Sequence, residues 1–562
     1  MSDDNALELI KRGDARFSKR QQLDTFRQEV ALNFAPHLAS WTSELTLGDD
    51  YAAHLVDSTP LLLARDFVGQ IGAMLRPPGK QYFWHRTHND KINNNREIRA
   101  YLDWRSEQMM RILNDRGTGY MRACKQADEF FGLFGDAVLS VDMSRSLDSL
   151  RVRSYHTKDC VWAIGDDDKA SVITRREMVP ARIMKARYGE EKLHQKVREA
   201  CERDPDTTFE VRHEVLPAAE YDAYRPGLKR KNGFASIWID VTHKCVLREV
   251  TTDTFRYVVP RWVTLPSWAY AISPATTIAL PDARMIQQQA LAILEAAEKS
   301  VNPPLVAYAD TVRGDVRLES RGITWIDRNY DERSGQPITP LELGKNFSLG
   351  VDSIMRTESQ LTRAFYLDTL RMPDTRNSKS TEEVQFLIDE YIRAALPLFA
   401  PMQQEYNDNL LFEVDSLIVE SGGYDADAPK AVREESLTFA WDNPLSDMVE
   451  RQKAQVVSEL SVLGNAIAAL EAAAQQSPAL RQTDTTKLYR DSAIGIGASR
   501  WLLDEDDSDD AMNAQSEQNS MQGMIANAPN IAQVIDSGVN AAKAAGEIPG
   551  QAEPGFALPM PI

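Results

Sequence analysis

Apolar residues recur at helical spacing over several long stretches of the chain. Between residues 3 and 35, Leu7, Leu9, Ile10, Phe17, Leu23, Phe26, Val30 and Phe34 stand among mixed charges, which predicts one long amphipathic helix closed by Pro36. A second helix is expected from about 60 to 75, carrying Leu62, Leu63, Phe67, Val68, Ile71 and Met74 up to the stop at Arg76-Pro77-Pro78-Gly79. The run Gln81 to Thr87 alternates like a strand, with Tyr82 and Trp84 facing one way and Phe83 the other. A helical tract over 95–135 follows, and Gly132 and Gly135 are expected to turn it into a strand. From 137 to 275 the pattern changes to short strands, interrupted by one helix near 180–200, and this predicts a β-rich sandwich or barrel.

The stretch from Leu280 to Leu396 is built differently. Ile286, Ala290, Ile293, Leu294 and Ala297 stripe one helix, which Pro303 and Pro304 end. Val351, Ile354, Met355, Leu361, Phe365 and Tyr366 stripe another. The residues between the two are too many for a bare loop and predict a small α/β or β projection. A polar loop with Arg371, Arg376 and Lys379 leads to a third helix, opened by Ser380 and Glu383 at capping-box spacing and closed by Pro397. Beyond it come a helix with Met402, Tyr406, Leu410, Leu411 and Val414, a glycine turn at Gly422 and Gly423, and the short strand Glu435 to Trp441. Val449, Val456, Leu463 and Leu470 then recur at sevens, with Leu460 and Ile467 between them, which predicts helix packing inside a bundle or ring.

Length and charge narrow the reading. The 562 residues suggest three or four domains. A net charge of -19 argues against a protein that coats nucleic acid through a broad basic surface. It is compatible with one that DNA passes without adhering. Cys124, Cys160, Cys201 and Cys245 show no paired spacing and read as free thiols of a reducing compartment. No signal-peptide core or 18-residue apolar run is present, so a cytoplasmic origin without a membrane span is expected.

Chemistry is hard to find in this sequence. The phosphate-loop, HExxH and GxSxG motifs are absent, and Gly495 and Gly497 form a lone GxG at a helix junction. His85 and His88, and His213 and His243, have no metal-site spacing. Asp166, Asp167 and Asp168 have the composition of a metal site, but a solvated hairpin tip is the preferred reading. No catalytic residue, metal or cofactor is expected. Arg371, Arg376 and Lys379 form either a plain solvated loop or, if the segment lines a channel, a sequence-independent attraction for phosphates, offset by Asp368 and Asp374.

The order of four segments then becomes informative: Leu280 to Ala307; the helix ending in Thr357 to Asp368; the loop Arg371 to Ser380; and Ser380 to Glu405, with Thr381, Glu382, Glu383 and Val384 at its helix start. This order resembles the portal proteins, the head-to-tail connectors of short-tailed, podovirus-like bacteriophages. Ser18 to His37 and Ser477 to Leu503 are similar to their counterparts too, so the resemblance covers about residues 1–510.

It implies a mixed α+β, mainly helical subunit of a ring, usually of about twelve copies, at one capsid vertex. Residues 1–136 would be the N-terminal helical part of a wing, 137–280 its β-rich domain, 281–300 and 348–367 two stem helices, and 301–347 a clip. Residues 368–380 would be a tunnel loop, 381–443 a tunnel helix and return to the wing, 444–510 a helical crown, and 511–562 a Gln/Ala/Gly-rich tail or barrel. Arg371, Arg376 and Lys379 would line the DNA channel, and Arg313, Arg317, Arg321, Trp325 and Arg328 would lie in the docking region of the clip. The implied partners are further copies of the chain, the terminase large subunit, tail adaptor or head completion proteins, scaffold and major capsid protein, internal core or ejection proteins, and double-stranded DNA held non-specifically. The implied location is the unique virion vertex, after assembly in the host cytoplasm. Two other classes stay open: another tail or adaptor ring protein, and a metal-dependent nuclease built on Asp166 to Asp168.

Overall fold

The computed structural model describes residues 2–77, 79–144, 149–222, 233–301, 303–307, 312–313, 325–326, 338–340, 347–370, 390, 393–394, 402–424, 428–434, 436–441, 460–470, 472 and 485–495. They divide into two compact units, 1–449 and 450–562.

In the first unit, helix α1 spans Ser2–Phe34 and serves two cores. Ala6, Leu9 and Ile10 pack on the sheet residues Val172, Leu216 and Ile237, whereas Val30, Ala31 and Phe34 enter the main helical core. Gly13, costly inside a helix by about 1 kcal/mol, sits where a Cβ would meet the Thr174 methyl at 3.1 Å, so its absence allows the close approach. The charges of α1 do not all face water. Arg20 donates to the carbonyls of Thr157, Lys158 and Cys160, and the fully buried Arg27 pairs with the fully buried Asp136. Arg20 Nε lies 2.8 Å from Asp24, so every nitrogen of its guanidinium faces an oxygen, whereas Arg27 keeps Nε and Nη1 buried without a hydrogen-bond partner among the described residues.

Helix α2 (Thr59–Leu75) leads to strand β1 (Phe83–Thr87), whose alternate residues Phe83, His85 and Thr87 are buried. The tract expected as continuous over 95–135 is two helices, α3 (Arg96–Leu113) and α4 (Tyr120–Phe134). The break falls at Gly119, which adopts a φ of 66° that side chains disfavour. Gly135 (φ 89°) ends α4, and a Cβ there would lie 2.7 Å from the Ile272 backbone. Gly132, expected in a turn, stays inside α4 and lets Phe67, Val68 and Ile71 of α2 pack closely.

The β-rich region holds two main antiparallel sheets and no closed barrel among the described residues. Strands β2 (Val138–Met143) and β3 (Leu150–Tyr155) make one sheet; β4 (Cys160–Ile164), β5 (Ala170–Pro180), β6 (Thr208–Pro217), β7 (Phe234–Asp240) and β8 (Cys245–Thr252) form the other as a meander. The short β9 (Tyr257–Val258) pairs with β2. Val138, Cys160, Trp162, Ile173, Val215 and Tyr257 fill the core the two sheets share. In place of one helix near 180–200 there are two, Ala181–Tyr188 and Gln195–Arg203, separated at Gly189 (φ 84°). β1 does not join these sheets. It pairs with β10 (Leu437–Trp441), more than 300 positions later in the chain.

A buried polar junction ties this late return to the N-terminal helices. Arg76, at the end of α2, pairs with Asp128 of α4 and donates to Asn407 Oδ1 at 2.8 Å, while Asn407 Nδ2 donates to the Leu75 carbonyl at 3.1 Å. Gly72 makes room, since a Cβ there would lie 2.9 Å from the Asp128 carboxylate. The four cysteines are unbridged. In the second unit, residues 460–470 and Thr485–Gly495 are helical, and Ile467 is buried. Val449 and Val456 of the seven-residue repeat lie outside the described residues.

Removing one partner of a buried ion pair leaves the other charge uncompensated. Asp128→Ala is expected to cost about 3–5 kcal/mol of stability, whereas Arg76→Met combined with Asp128→Leu should cost clearly less, measured as urea unfolding of the full chain.

Candidate functional site

The excursion between residues 280 and 402 begins and ends on the same helix. At its start, Ser273 Oγ donates to the Leu133 carbonyl of α4, and a π-helical turn, Ala275–Ala279, feeds helix α5 (Leu280–Val301). Thr276 and Thr277 both donate their hydroxyls to the Ser273 carbonyl at 2.8 Å, supplementing the backbone bonds of this wide turn. At its end, a second π-helical turn, Gln403–Asp408, feeds helix α7 (Asn409–Glu420), which follows helix α6 (Phe347–Ala364) in the chain. Tyr406 there packs its ring on Phe131 of α4 at 5.3 Å.

Helices α5 and α6 run antiparallel against each other. Gln289 Nε2 donates to Ser353 Oγ at 2.9 Å, Thr357 donates to Gln289 Oε1 at 3.1 Å, and further out Gly350 admits the Ile293 side chain. Lower down, the Gln287 amide acts as a clasp on the body. It accepts from the N–H groups of Val56 and Asp57 (2.8 and 2.9 Å) and donates to the Asp57 carbonyl at 2.7 Å. Arg284 adds an ion pair to Glu29 of α1.

The apolar stripe of α5 outlasts the body that covers it. Ala283 and Ile286 are buried in the main core, and Ala290, at its edge, is buried too. The same stripe continues at helical spacing through Leu294, Ala297 and Val301, where Leu294 is 57% and Val301 87% exposed. On α6 burial falls off in the same direction, but the exposed residues flank the buried face and do not extend it. Its end at the body carries the buried Leu361 and Ala364, and its far end carries Met355 and Leu349, 59% and 68% exposed. Chemically, the pair offers an extended apolar surface whose charges, Asp282, Arg284, Glu295, Glu298 and Lys299 on one helix and Asp352, Arg356, Glu358 and Arg363 on the other, nearly balance. Single exposed apolar residues such as Met355 and Leu349 are ordinary; a continuous stripe such as Leu294 to Val301 on α5 is the mark of a contact surface.

The insertion between α5 and α6 contains nested antiparallel pairs: Leu305–Ala307 with Ile338–Pro340, and Val312–Arg313 with Trp325–Ile326. Arg313 and Trp325 are register partners. Arg317, Arg321 and Arg328, and the loop residues Arg371, Arg376 and Lys379, lie outside the described residues. α6 is followed by Tyr366 (φ 54°) and a short helix, Leu367–Leu370.

Side chains that would suggest catalysis prove structural. Ser106 Oγ, His85 Nδ1 and Nε2, and Asp415 form a Ser-His-Asp chain, with contacts of 2.8 and 3.2 Å. Ser106 and His85 are fully buried, however, and Ser106 Oγ also contacts the Leu102 carbonyl at 2.7 Å, so no substrate reaches the hydroxyl. Burial keeps His85 neutral despite Asp415. Burial opposes ionisation of Asp415 too, yet hydrogen bonding to His85 and the Arg105 guanidinium hold it down at about 2. The set is a strut joining β1, α3 and α7. It was not legible in sequence because Asp415 lies more than 300 positions from His85 and Ser106. Asp166 to Asp168 occupy the exposed β4–β5 hairpin tip, and among the described residues no three His, Cys, Asp or Glu side chains are grouped to hold a metal. Among the described residues no helix is long and apolar enough to cross a membrane.

The family of bacteriophage head to tail connecting proteins matches residues 7–503. Over 373 residues the chain is 23% identical to a probable portal protein of Bordetella phage BPP-1, covering 65% of each chain. It is 21% identical over 373 residues to a portal protein of Salmonella phage epsilon15, covering 66% of each. The matched part thus spans just under two thirds of these relatives. A chain from the virion of a native gene transfer agent particle superposes with a TM-score of 0.34 at 8% identity, covering 72% of this chain and 86% of that one.

Two measurements probe this region. Gly350→Val should force α5 and α6 apart at Ile293 and lower the unfolding midpoint, with Gly350→Ala intermediate between it and the parent chain. The second concerns Asp408, whose carboxyl burial pushes up to about 6 although it accepts from the Trp441 indole. The folded state therefore binds this proton more tightly than the unfolded one, and its contribution to stability is lost as pH rises from about 4 to 6. Asp408→Asn keeps an acceptor for Trp441 and should raise stability above pH 6 by about 1 kcal/mol after solvent screening, with no gain below pH 4, read from urea midpoints across pH.

Proposed function

The chain belongs to the family of bacteriophage head to tail connecting proteins, and on that premise we propose that it is a portal protein: one subunit of the ring through which DNA enters and leaves a phage capsid. The observation that carries this is the stripe of α5. A single copy buries its first half and leaves Leu294 and Val301 in water. Burying each such side chain contributes about 1.5–3 kcal/mol, and a neighbouring copy of the same helix pair supplies the missing surface. Repeated with rotational symmetry, that heterologous contact closes a ring of about twelve copies, with α5 and α6 as its stem.

In this assembly the protein performs no bond chemistry; ATP hydrolysis belongs to a separate terminase. The insertion at 301–347 is the outward clip. Arg313, Arg317, Arg321, Trp325 and Arg328 form its docking region, used first by the terminase and later by tail adaptor proteins. Residues 1–280 form a wing that meets scaffold and coat protein, and 444–510 a crown toward the capsid interior. A conduit must hold DNA weakly at every step. The near-balanced stem charges and the net charge of -19 suit that requirement, since phosphate attraction beyond about 8 Å is screened in physiological salt. Arg371, Arg376 and Lys379 supply transient phosphate contacts from the tunnel loop.

Negative-stain imaging of the purified protein tests the reading. An approximately twelve-fold ring with a central hole is expected, and Leu294→Asp should leave folded subunits that do not close into rings. A monomeric parent protein, or a three-fold or six-fold assembly, would overturn the proposal. Replacing Arg371, Arg376 and Lys379 together by alanine should lower DNA packaging or retention while rings still form; unchanged packaging and retention would remove the loop from the mechanism.

A further inference from the structure

Away from the helix pair, a cleft of about 310 Å³ opens between the β4–β5 hairpin tip, the segment 253–261 and α7. Its walls include the aromatic rings of Phe234, Phe255 and Phe412, and Phe412 is 55% exposed on a helix whose other large residues mostly face the core. Two turns further along the same face of α7 stands the exposed Val419, so the apolar strip continues out of the cleft. Four carboxylates line the space, Asp167, Asp253, Glu405 and Glu413, against two cations, Lys169 and Arg261.

Both cations are already engaged. Arg261 donates to both oxygens of Glu405 and to the Asp168 carbonyl, and Lys169 Nζ donates to Asn409 Oδ1 at 3.3 Å. Arg261 thus neutralises Glu405, and Glu413 accepts from the Arg256 N–H, while four carboxylates against two cations leave the formal balance of the cleft negative. Aromatic faces beside carboxylates are the surroundings a guanidinium or ammonium group prefers, through cation–π attraction and charge-assisted hydrogen bonds. The same carboxylates repel phosphate, which sets this cleft apart from any DNA-facing surface.

From this charge complementarity we infer that the cleft docks a partner polypeptide, which inserts an arginine or lysine among the carboxylates and lays an adjacent apolar residue along Phe412 and Val419. The inference is independent of ring formation and of the conduit. The rival occupant is the basic segment 223–232 of the chain itself, which carries Arg225, Lys229, Arg230 and Lys231 without a carboxylate and runs into Phe234.

The test is fluorescence anisotropy on the full-length protein with a fluorescein-labelled peptide of sequence Gly-Arg-Leu-Arg-Leu-Gly. Saturable binding is expected, weakened at least tenfold by Phe412→Ala and absent for the peptide with glutamate in place of arginine. Because Phe412 is largely in water, the variant should keep the parent circular-dichroism spectrum and unfolding midpoint. No saturable binding, or equal binding to the Phe412→Ala protein, would overturn the inference. Binding that emerges only when 223–232 is replaced by a Gly-Ser linker would also overturn it, assigning the cleft to the chain's own segment.

Discussion

The first unit depends on one buried meeting of charges, Arg76 with Asp128, completed by Asn407. A guanidinium inside a hydrophobic core is tolerable only when its donors are answered, and here the answers come from α4 and from a residue beyond the whole excursion. The junction therefore settles more than the pose of one side chain. It requires the chain, after leaving the body near residue 280, to come back to the end of α2. Tyr406, one position before Asn407, stacks under the same guanidinium at 4.7 Å, and the pairing of β1 with β10 follows on the same return path. Hydrophobic burial supplies most of the free energy of this core, but it is indifferent to which segment fills which place. The polar junction is selective, because only a carboxylate and an amide at the right depth satisfy it.

A second constraint works in the opposite sense. The α5 stripe obeys its period past Ala290, where the core that justified it has ended. Continuity of the pattern across covered and uncovered parts makes the outer half an apolar strip on a helix of nearly balanced charge. The Gln287 clasp and the Gln289 links to Ser353 and Thr357 fix the azimuth of the helix, so the uncovered stripe points in one direction.

Much of this was legible from periodicity. The helix expected over 3–35 spans Ser2–Phe34, the one over 60–75 spans Thr59–Leu75, and the two striped helices are Leu280–Val301 and Phe347–Ala364. The misses have physical reasons. Gly119 breaks a tract whose apolar spacing carries on across the gap, so the period hides the turn. Gly132 reads as punctuation, yet it serves close helix packing. The π-helical turns add one residue to a turn and cannot be told from ordinary scatter in a stripe. Arg20 and Arg27 stand among the mixed charges of an amphipathic helix, and nothing local there, or at Arg76 and Asp128, reveals partners found by tertiary contact. The candidate site was legible as two stripes and an insertion. The basic loop residues Arg371, Arg376 and Lys379 were legible only as composition, and they lie outside the described residues.

The two π-helical turns both bear on α4, one through Ser273 and Leu133, the other through Tyr406 and Phe131. The projecting pair also holds the body through the Gln287 clasp on Val56 and Asp57, the Arg284–Glu29 pair to α1, and Leu361 and Ala364 in the main core. A pull on the pair is therefore received by several N-terminal helices at once, and loosening any one link leaves the others to carry the load.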